Sequence, residues 1–240
     1  MENKITQWSF SRFALYESCP FKAKLKYIDK LEEPTSPPLE RGTRIHQLAE
    51  QFIKGELKDF PEELKLHEKL IRSLQESYAK AETSKVIVEE EWAFTKEWES
   101  TGWFDENAWV RIKLDCIQIV GGHAYVIDWK TGKFNKNLHK QYERQLHLYA
   151  LATFLKFPGL AVVTPRLYYL DTGDVYPKIE SGNFDKTEPC DYTRDQVEEL
   201  KLYWELKTKP LLTDNIFAPR PSWLCRYCHF RKGNGGPCKY

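Results

Sequence analysis

Asp115, Asp128 and Lys130 are the residues whose types and spacing point most directly to chemistry. Val110, Ile112, Leu114 and Cys116 alternate with Arg111, Lys113 and Asp115, the period of a half-buried strand. Beyond Gly121-Gly122 a second strand carries Val126, Asp128 and Lys130 on one face. A tight turn at the two glycines sets positions whose numbers sum to 243 opposite each other. Asp115 then faces Asp128, with Cβ atoms roughly 5 Å apart, and Lys113 faces Lys130. Opposed carboxylates repel unless a cation lies between them. Hard divalent ions such as Mg²⁺ or Mn²⁺ accept carboxylate oxygens and keep positions open for water and phosphate. Lys130, on the side of Asp128, can orient an attacking water or stabilise charge on phosphoryl oxygens. The same residues also suit a solvated outer face carrying both signs of charge, and a bulge in either strand would shift the register. On this hairpin alone both readings stand.

The elements that must position these groups follow from periodicity and punctuation. Ser9 to Glu17 reads as a short capped helix before Cys19-Pro20, and Pro34 to Pro38 as a loop. Ile45, Leu48, Ala49 and Phe52 recur at helical spacing within Arg41–Lys54, and Pro61–Glu82 gives a second amphipathic helix. Strands are expected at Val86–Thr95, Ala108–Val120 and Ala124–Lys130, then a helix over Asn137–Phe157. Pro165–Leu170 and Val175–Ile179 flank Asp171-Thr-Gly-Asp174 as a hairpin, and Thr193 caps a last helix to Lys207. Helices on both sides of an internal meander imply an α/β sandwich around a mixed or mostly antiparallel sheet.

Thirty-six Lys and Arg balance thirty-five Asp and Glu, so net charge argues for no polyanion, and any nucleic acid must meet a local basic strip. No apolar run approaches the roughly 18 residues of a membrane helix, and Met1 to Phe10 lacks a signal-peptide pattern. These features place the chain in the cytoplasm, where six cysteines suggest metal ligation before disulfides. Aromatic residues make up 14% of the chain, and most are expected in the core.

In order, Gly42-Thr-Arg-Ile-His46, Asp115, Asp128-Trp-Lys130-Thr-Gly132 and Gln145-Leu-His-Leu-Tyr149 resemble the PD-(D/E)XK nucleases. More narrowly they resemble the RecB-like exonucleases and the CRISPR-associated exonucleases that hold an iron–sulfur cluster. Position 114 is Leu where the family name has Pro. The resemblance implies a restriction-endonuclease-like three-layer α/β/α sandwich with a central mixed sheet, formed by one domain over 1–240 with its core at about 36–212. It implies His46, Asp115, Asp128 and the backbone carbonyl of Trp129 as ligands of Mg²⁺ or Mn²⁺, and Lys130 as the catalytic amine. Gln145 and Tyr149, four apart on one helix face, would line the site and hold the strand. Glu90 is a further acidic candidate, and Lys136, Lys140 and Arg144 could meet phosphates.

Cys225-Arg-Tyr-Cys228 is a close pair, and Cys238 follows in Gly-Gly-Pro-Cys. The resemblance supplies Cys19 as the fourth ligand of a 4Fe–4S cluster, stapling 9–30 to 213–240 in a small Cys-rich region. The nine residues between Cys228 and Cys238 exceed the spacing usual in such families, and His229 offers zinc another donor, so structural Zn²⁺ stays open. Cys116 reads as core filler on its strand's buried face, and Cys190 as an unliganded loop residue. The implied activity is metal-dependent exonucleolytic cleavage of DNA ends, single-stranded above all, in recombination, repair or CRISPR-type processing with the proteins of those pathways as partners. A non-catalytic, zinc-stapled DNA-binding module and a sequence-specific endonuclease are the alternatives.

Overall fold

The computed structural model describes residues 4–80, 84–177 and 191–240. Helix α1 (Phe10–Ser18) starts at Ser9, whose hydroxyl accepts the Arg12 N–H, and α2 (Pro20–Tyr27) follows directly. Helix α3 (Pro37–Ile53) begins within the proline stretch expected to be a loop. Proline is tolerated in a first helical turn because the N–H it lacks would have no partner there. A 3₁₀ segment, Glu62–His67, precedes α4 (Glu68–Lys80). The strands are β1 (Lys85–Phe94), β2 (Ser100–Thr101), β3 (Val110–Val120), β4 (His123–Lys130), β5 (Val162–Tyr169), β6 (Val175–Tyr176) and β7 (Tyr192–Thr193). Helix α5 (His139–Lys156) crosses between β4 and β5. Thr193 and Gln196 form a capping box before α6 (Val197–Thr213), which runs on past Lys207 and through Pro210. The expected strand beyond Pro177 and the loop holding Cys190 lie outside the described residues.

The sheet has seven strands in the order β2-β1-β3-β4-β5-β6, with β7 also on β5. Its β1–β3 and β3–β4 pairs are antiparallel and its β4–β5 pair is parallel, so it is mixed. Helices cover both faces. Ile45, Ala49 and Phe52 of α3 and Ile71 and Leu74 of α4 pack with Val88, Cys116, Ile127 and Trp129 on one side. Leu148 and Leu151 of α5, Trp204 of α6 and Phe13 of α1 pack with Ile112, Leu114, Val126 and Leu167 on the other. This is the three-layer restriction-endonuclease-like architecture. No helix among the described residues is long and apolar enough to cross a membrane.

The strict alternation read along β3 breaks at Asp115. Leu114 faces the α5 side, yet Cys116, two residues on, faces α3 and α4. Strand β1 changes face at the same level, since Trp92 packs with Leu114 while Val88 packs with Cys116. The β1–β3 register holds on both sides of the change, with Glu90 opposite Leu114 and Val88 opposite Cys116. Between those two rungs stands Glu89, in the left-handed region at φ 54°. A side chain held there is strained by roughly 1–3 kcal/mol, and such strain gathers where a backbone must aim a functional group.

Candidate active site

The β3–β4 hairpin turns at Gly121-Gly122 in the expected register, with Val120 opposite His123 and Cys116 opposite Ile127. The next step would pair Asp115 with Asp128, and there the two backbones stop pairing. Asp115 Oδ2 instead accepts the Trp129 N–H at 2.8 Å, so a carboxylate stands where a strand carbonyl would. A strand residue's N–H and C=O point to the same neighbour, so the Trp129 carbonyl also faces the β3 side. The expected Lys113–Lys130 opposition does not occur, because the strands have already parted. Lys113 Nζ lies 2.9 Å from Glu89 and 3.9 Å from Glu91, and Lys130 Nζ lies 2.5 Å from Asp128 Oδ2.

Helix α3 brings His46 Nδ1 to 3.2 Å from Asp115 Oδ1. Potential ligand atoms of His46, Glu89 and Asp115 all lie within 4.8 Å of one another. Asp115 is buried and the other two are half-buried, so neighbouring groups rather than water must balance their charge. Burial raises the Glu89 pKa, with Lys113 opposing and the charge of Asp115 adding to the rise. Burial works to lower that of His46, but its hydrogen bond to Asp115 and the acidic charges outweigh it, and the net shift is upward. A divalent cation would relieve both shifts, and two carboxylates with an imidazole are a donor set that can hold one. Glu89, not Glu90, is the acidic neighbour: Glu90 Oε2 accepts the Trp92 Nε1–H at 3.0 Å. The strand run Val88-Glu-Glu-Glu91 shows acids in sequence, but nothing in it shows the left-handed residue that selects the first of them.

Asp128 shows its α5-facing side to a second set of groups. The Tyr149 hydroxyl donates to Oδ1 at 2.7 Å, Gln145 Nε2 lies 3.4 Å from the same oxygen, and Gln145 also donates to the Tyr149 hydroxyl at 2.8 Å. Burial raises the Asp128 pKa, Lys130 opposes, and the charge of Asp115 adds to the rise. Tyr149 is driven well above its ordinary value by burial and by Asp128, so it stays a proton donor.

The segment after Lys130 is anchored by Asp171, which the sequence shows only as a turn residue. Arg41 of α3 holds Asp171 bidentately at 2.5 and 2.8 Å, and Asp171 Oδ2 accepts the Gly132 N–H at 2.6 Å. Gly132, at φ 84°, makes the turn that presents this N–H. Among the expected phosphate contacts, Lys136 and Lys140 are exposed. Arg144 is instead bound to Glu17 of α1 at 2.6 Å and stacked over Phe13.

A family model of the PD-(D/E)XK nuclease superfamily matches residues 7–232. The chain belongs to that superfamily. No curated protein matches it. Among solved structures it is similar to SSO0001, at 17% identity and a TM-score of 0.44, covering 99% of this chain and 89% of the other. It is also similar to a Eubacterium rectale protein named as a putative exonuclease, at 13% identity and a TM-score of 0.49, covering 94% of this chain and 88% of the other. The matched residues include Asp115 and Asp128-Trp-Lys130.

Where α1 and α2 meet the C-terminal segment, Cys19, Cys225, Cys228 and Cys238 line one cavity of about 200 Å³. All four are free thiols, and Cys19 stands at the N-terminus of α2. Cys225 Sγ accepts the Ser222 N–H at 3.3 Å. Protein contacts alone already join the two chain ends: Tyr16 donates to Asp214 at 2.9 Å and packs edge-on against Phe217, and Arg220 donates to the Glu17 carbonyl. Cys116 is fully buried among apolar residues, and that burial raises its pKa.

Proposed function

We propose that this chain is a metal-dependent deoxyribonuclease that hydrolyses phosphodiester bonds at DNA ends. The observation that carries the reading is the convergence of His46, Glu89 and Asp115 beside Asp128 and Lys130, at the point where β3 and β4 part. His46, Asp115 and Glu89 would hold one divalent ion, with the Trp129 carbonyl and Asp128 as its remaining protein neighbours. Such an ion, when bound, lowers the pKa of a coordinated water and draws charge from a phosphoryl oxygen. The chain does the rest by position. Lys130 Nζ, held by Asp128, is within reach of a water or a non-bridging phosphate oxygen beside that carboxylate and donates to it. Asp128 is fixed in turn by Tyr149 and Gln145, so it cannot swing away as charge builds. Cleavage at strand ends, and of single strands above all, rests on the likeness of the His46, Asp128-Trp-Lys130 and Gln145–Tyr149 motifs to RecB-like exonucleases. The four cysteines would hold a 4Fe–4S cluster as a structural staple, because they line a single cavity where the two chain ends meet.

Digestion of 5′- and 3′-labelled single and double strands with Mn²⁺ or Mg²⁺ tests this reading. The expected result is stepwise, EDTA-sensitive shortening from an end that Lys130→Ala abolishes. Retention of strands without shortening would make the protein a binding module. Cutting of closed circles at defined sites would make it an endonuclease.

A further inference from the structure

A cavity of about 420 Å³ adjoins the catalytic carboxylates, and Arg12, Trp103, Arg111, Lys113, Gln145 and Tyr149 line it. It exists because β4 leaves β3 at Asp115. Along the flank of β3 so exposed, the N-terminal segment takes β4's place: Trp8 receives the Arg111 N–H and donates to the Trp109 carbonyl, both at 2.9 Å. The space left between that segment, β3 and α5 runs up to the groups that hold Asp128.

The cavity's charge is one-sided. Three cations line it and no carboxylate does, in a chain whose charges otherwise cancel. Lys113 is already engaged by Glu89 and Glu91. Arg12 and Arg111 have no acidic partner among the described residues. Arg12 donates to the Gln7 carbonyl and stacks on Tyr27, and its Nε is buried without a hydrogen bond. Arg111 donates to the Trp103 carbonyl at 2.7 Å and lies over the Trp103 ring. Burial, and then the nearby Arg111 charge, lower the Arg12 pKa, so the two guanidinium groups stand together at a cost to Arg12. An anion between them would remove that cost and satisfy the free Nε. Trp103 is half-buried and shares the cavity wall with Arg111, and Phe104 beside it in the chain is 91% exposed.

We propose that this cavity seats the single strand next to the cleavage point, Arg12 and Arg111 gripping one backbone phosphate while Trp103 stacks on an unpaired base. This deepens the nuclease reading and rests on it. Guanidinium forks match phosphate oxygens in pairs, and base stacking on an indole tolerates any sequence, as an end-processing enzyme requires.

The test is binding of a fluorescein-labelled oligo-deoxythymidylate, in EDTA so that nothing is cut, followed by anisotropy across a salt series. The variants are Arg12→Gln, Arg111→Gln and Trp103→Ala, each checked for an unchanged unfolding midpoint. Loss of the one phosphate contact is worth about 0.7 in the slope of log Kd against log salt for a single strand, and each arginine variant should remove a measurable part of it. Trp103→Ala should weaken binding by roughly tenfold with the slope unchanged. Should Arg12→Gln misfold, through loss of its Gln7 and Tyr27 contacts, the other two variants still decide. Wild-type affinity and slope in folded Arg111→Gln and Trp103→Ala overturn the assignment, even where wild-type protein cuts DNA with Mn²⁺. Binding that depends on these residues in a wild-type protein that cuts nothing would keep the seat and remove the nuclease.

Discussion

The Tyr149 hydroxyl donates to Asp128 Oδ1 at 2.7 Å from within the buried face of α5. It is the closest donor to that oxygen, since Gln145 lies at 3.4 Å. Tyr149→Phe removes the donor and leaves the ring. A buried charged acceptor deprived of its donor costs roughly 1–3 kcal/mol, so the urea midpoint should fall accordingly. The turnover number should fall by roughly 10- to 100-fold, the usual cost of loosening a carboxylate that works beside a metal. A variant with a lower midpoint but unchanged turnover would make the tyrosine structural only.

Glu89 and Glu90 offer a paired comparison on adjacent residues. Glu89→Gln should weaken Mn²⁺ binding by roughly tenfold or more, measured calorimetrically on protein without nucleic acid. Glu90→Gln should leave Mn²⁺ affinity alone and disturb only the bond to Trp92. Equal affinity in the two variants would exclude Glu89 from the ion's surroundings.

The pH dependence follows from three upward shifts, at His46, Glu89 and Asp128. A group whose pKa is higher in the folded state holds more protons there than in the unfolded chain. Its stability contribution is complete below the unfolded value and is lost as pH rises through the folded one. For the two acids that loss begins above about pH 4, and for His46 above about pH 6.5. A bound cation favours the deprotonated forms and reverses the trend, releasing protons as it binds. The rise in melting temperature caused by Mn²⁺ should therefore grow between about pH 5 and about pH 8. Comparing melts with and without the ion cancels the contribution of groups elsewhere. A metal-induced shift that is flat across this range would contradict the assignment of these residues.

Asp171 joins α3, which carries His46, to the chain leaving Lys130. Its pair with Arg41 is largely exposed, so Asp171→Ala should cost under about 1 kcal/mol of stability. Activity should fall by more than that loss suggests, by roughly tenfold, because both catalytic side chains lose a common reference point. Arg41→Ala should reproduce much of the effect, and the double variant should fall short of the sum of the two. Full additivity would show that the two residues act separately.

The sequence carried much of this site because the site is built from local regularities. The glycine pair set the hairpin register, and that register brought Asp115 and Asp128 to the same level. Helical spacing placed His46, Gln145 and Tyr149 on helices, and the motif likeness joined them to the hairpin. What stayed hidden depended on backbone departures with no residue signature. Glu89 reaches the site through a left-handed conformation that a glutamate does not advertise. The break in β3 turns Cys116 to the face opposite Leu114, so a pattern read as one buried face is a sheet buried on both. Arg144 looked available for phosphate because its partner Glu17 lies far away in sequence, and Asp171 looked like turn chemistry because its partners come from two other elements.

The cysteine cavity turns on a single close approach. A Cβ added to Gly236 would lie 2.3 Å from the carbonyl carbon and oxygen of Phe230, which are backbone atoms that cannot step aside. That same Phe230 carbonyl accepts the Cys238 N–H at 2.9 Å, and the Cys238 carbonyl accepts the Lys232 N–H at 2.6 Å. Gly236→Ala must therefore open the turn and carry Cys238 away from Cys225, Cys228 and Cys19. Anaerobically purified wild-type protein should be brown, absorb near 400 nm and hold about four iron per chain, and Gly236→Ala should lose most of both colour and iron. Gly235→Ala is the control: its added Cβ meets open space, so the change costs only the strain of φ 82°, about 1 kcal/mol, and the iron should stay. Colourless wild-type protein with one zinc would assign the cavity to zinc, and full iron in Gly236→Ala would exclude Cys238 as a ligand.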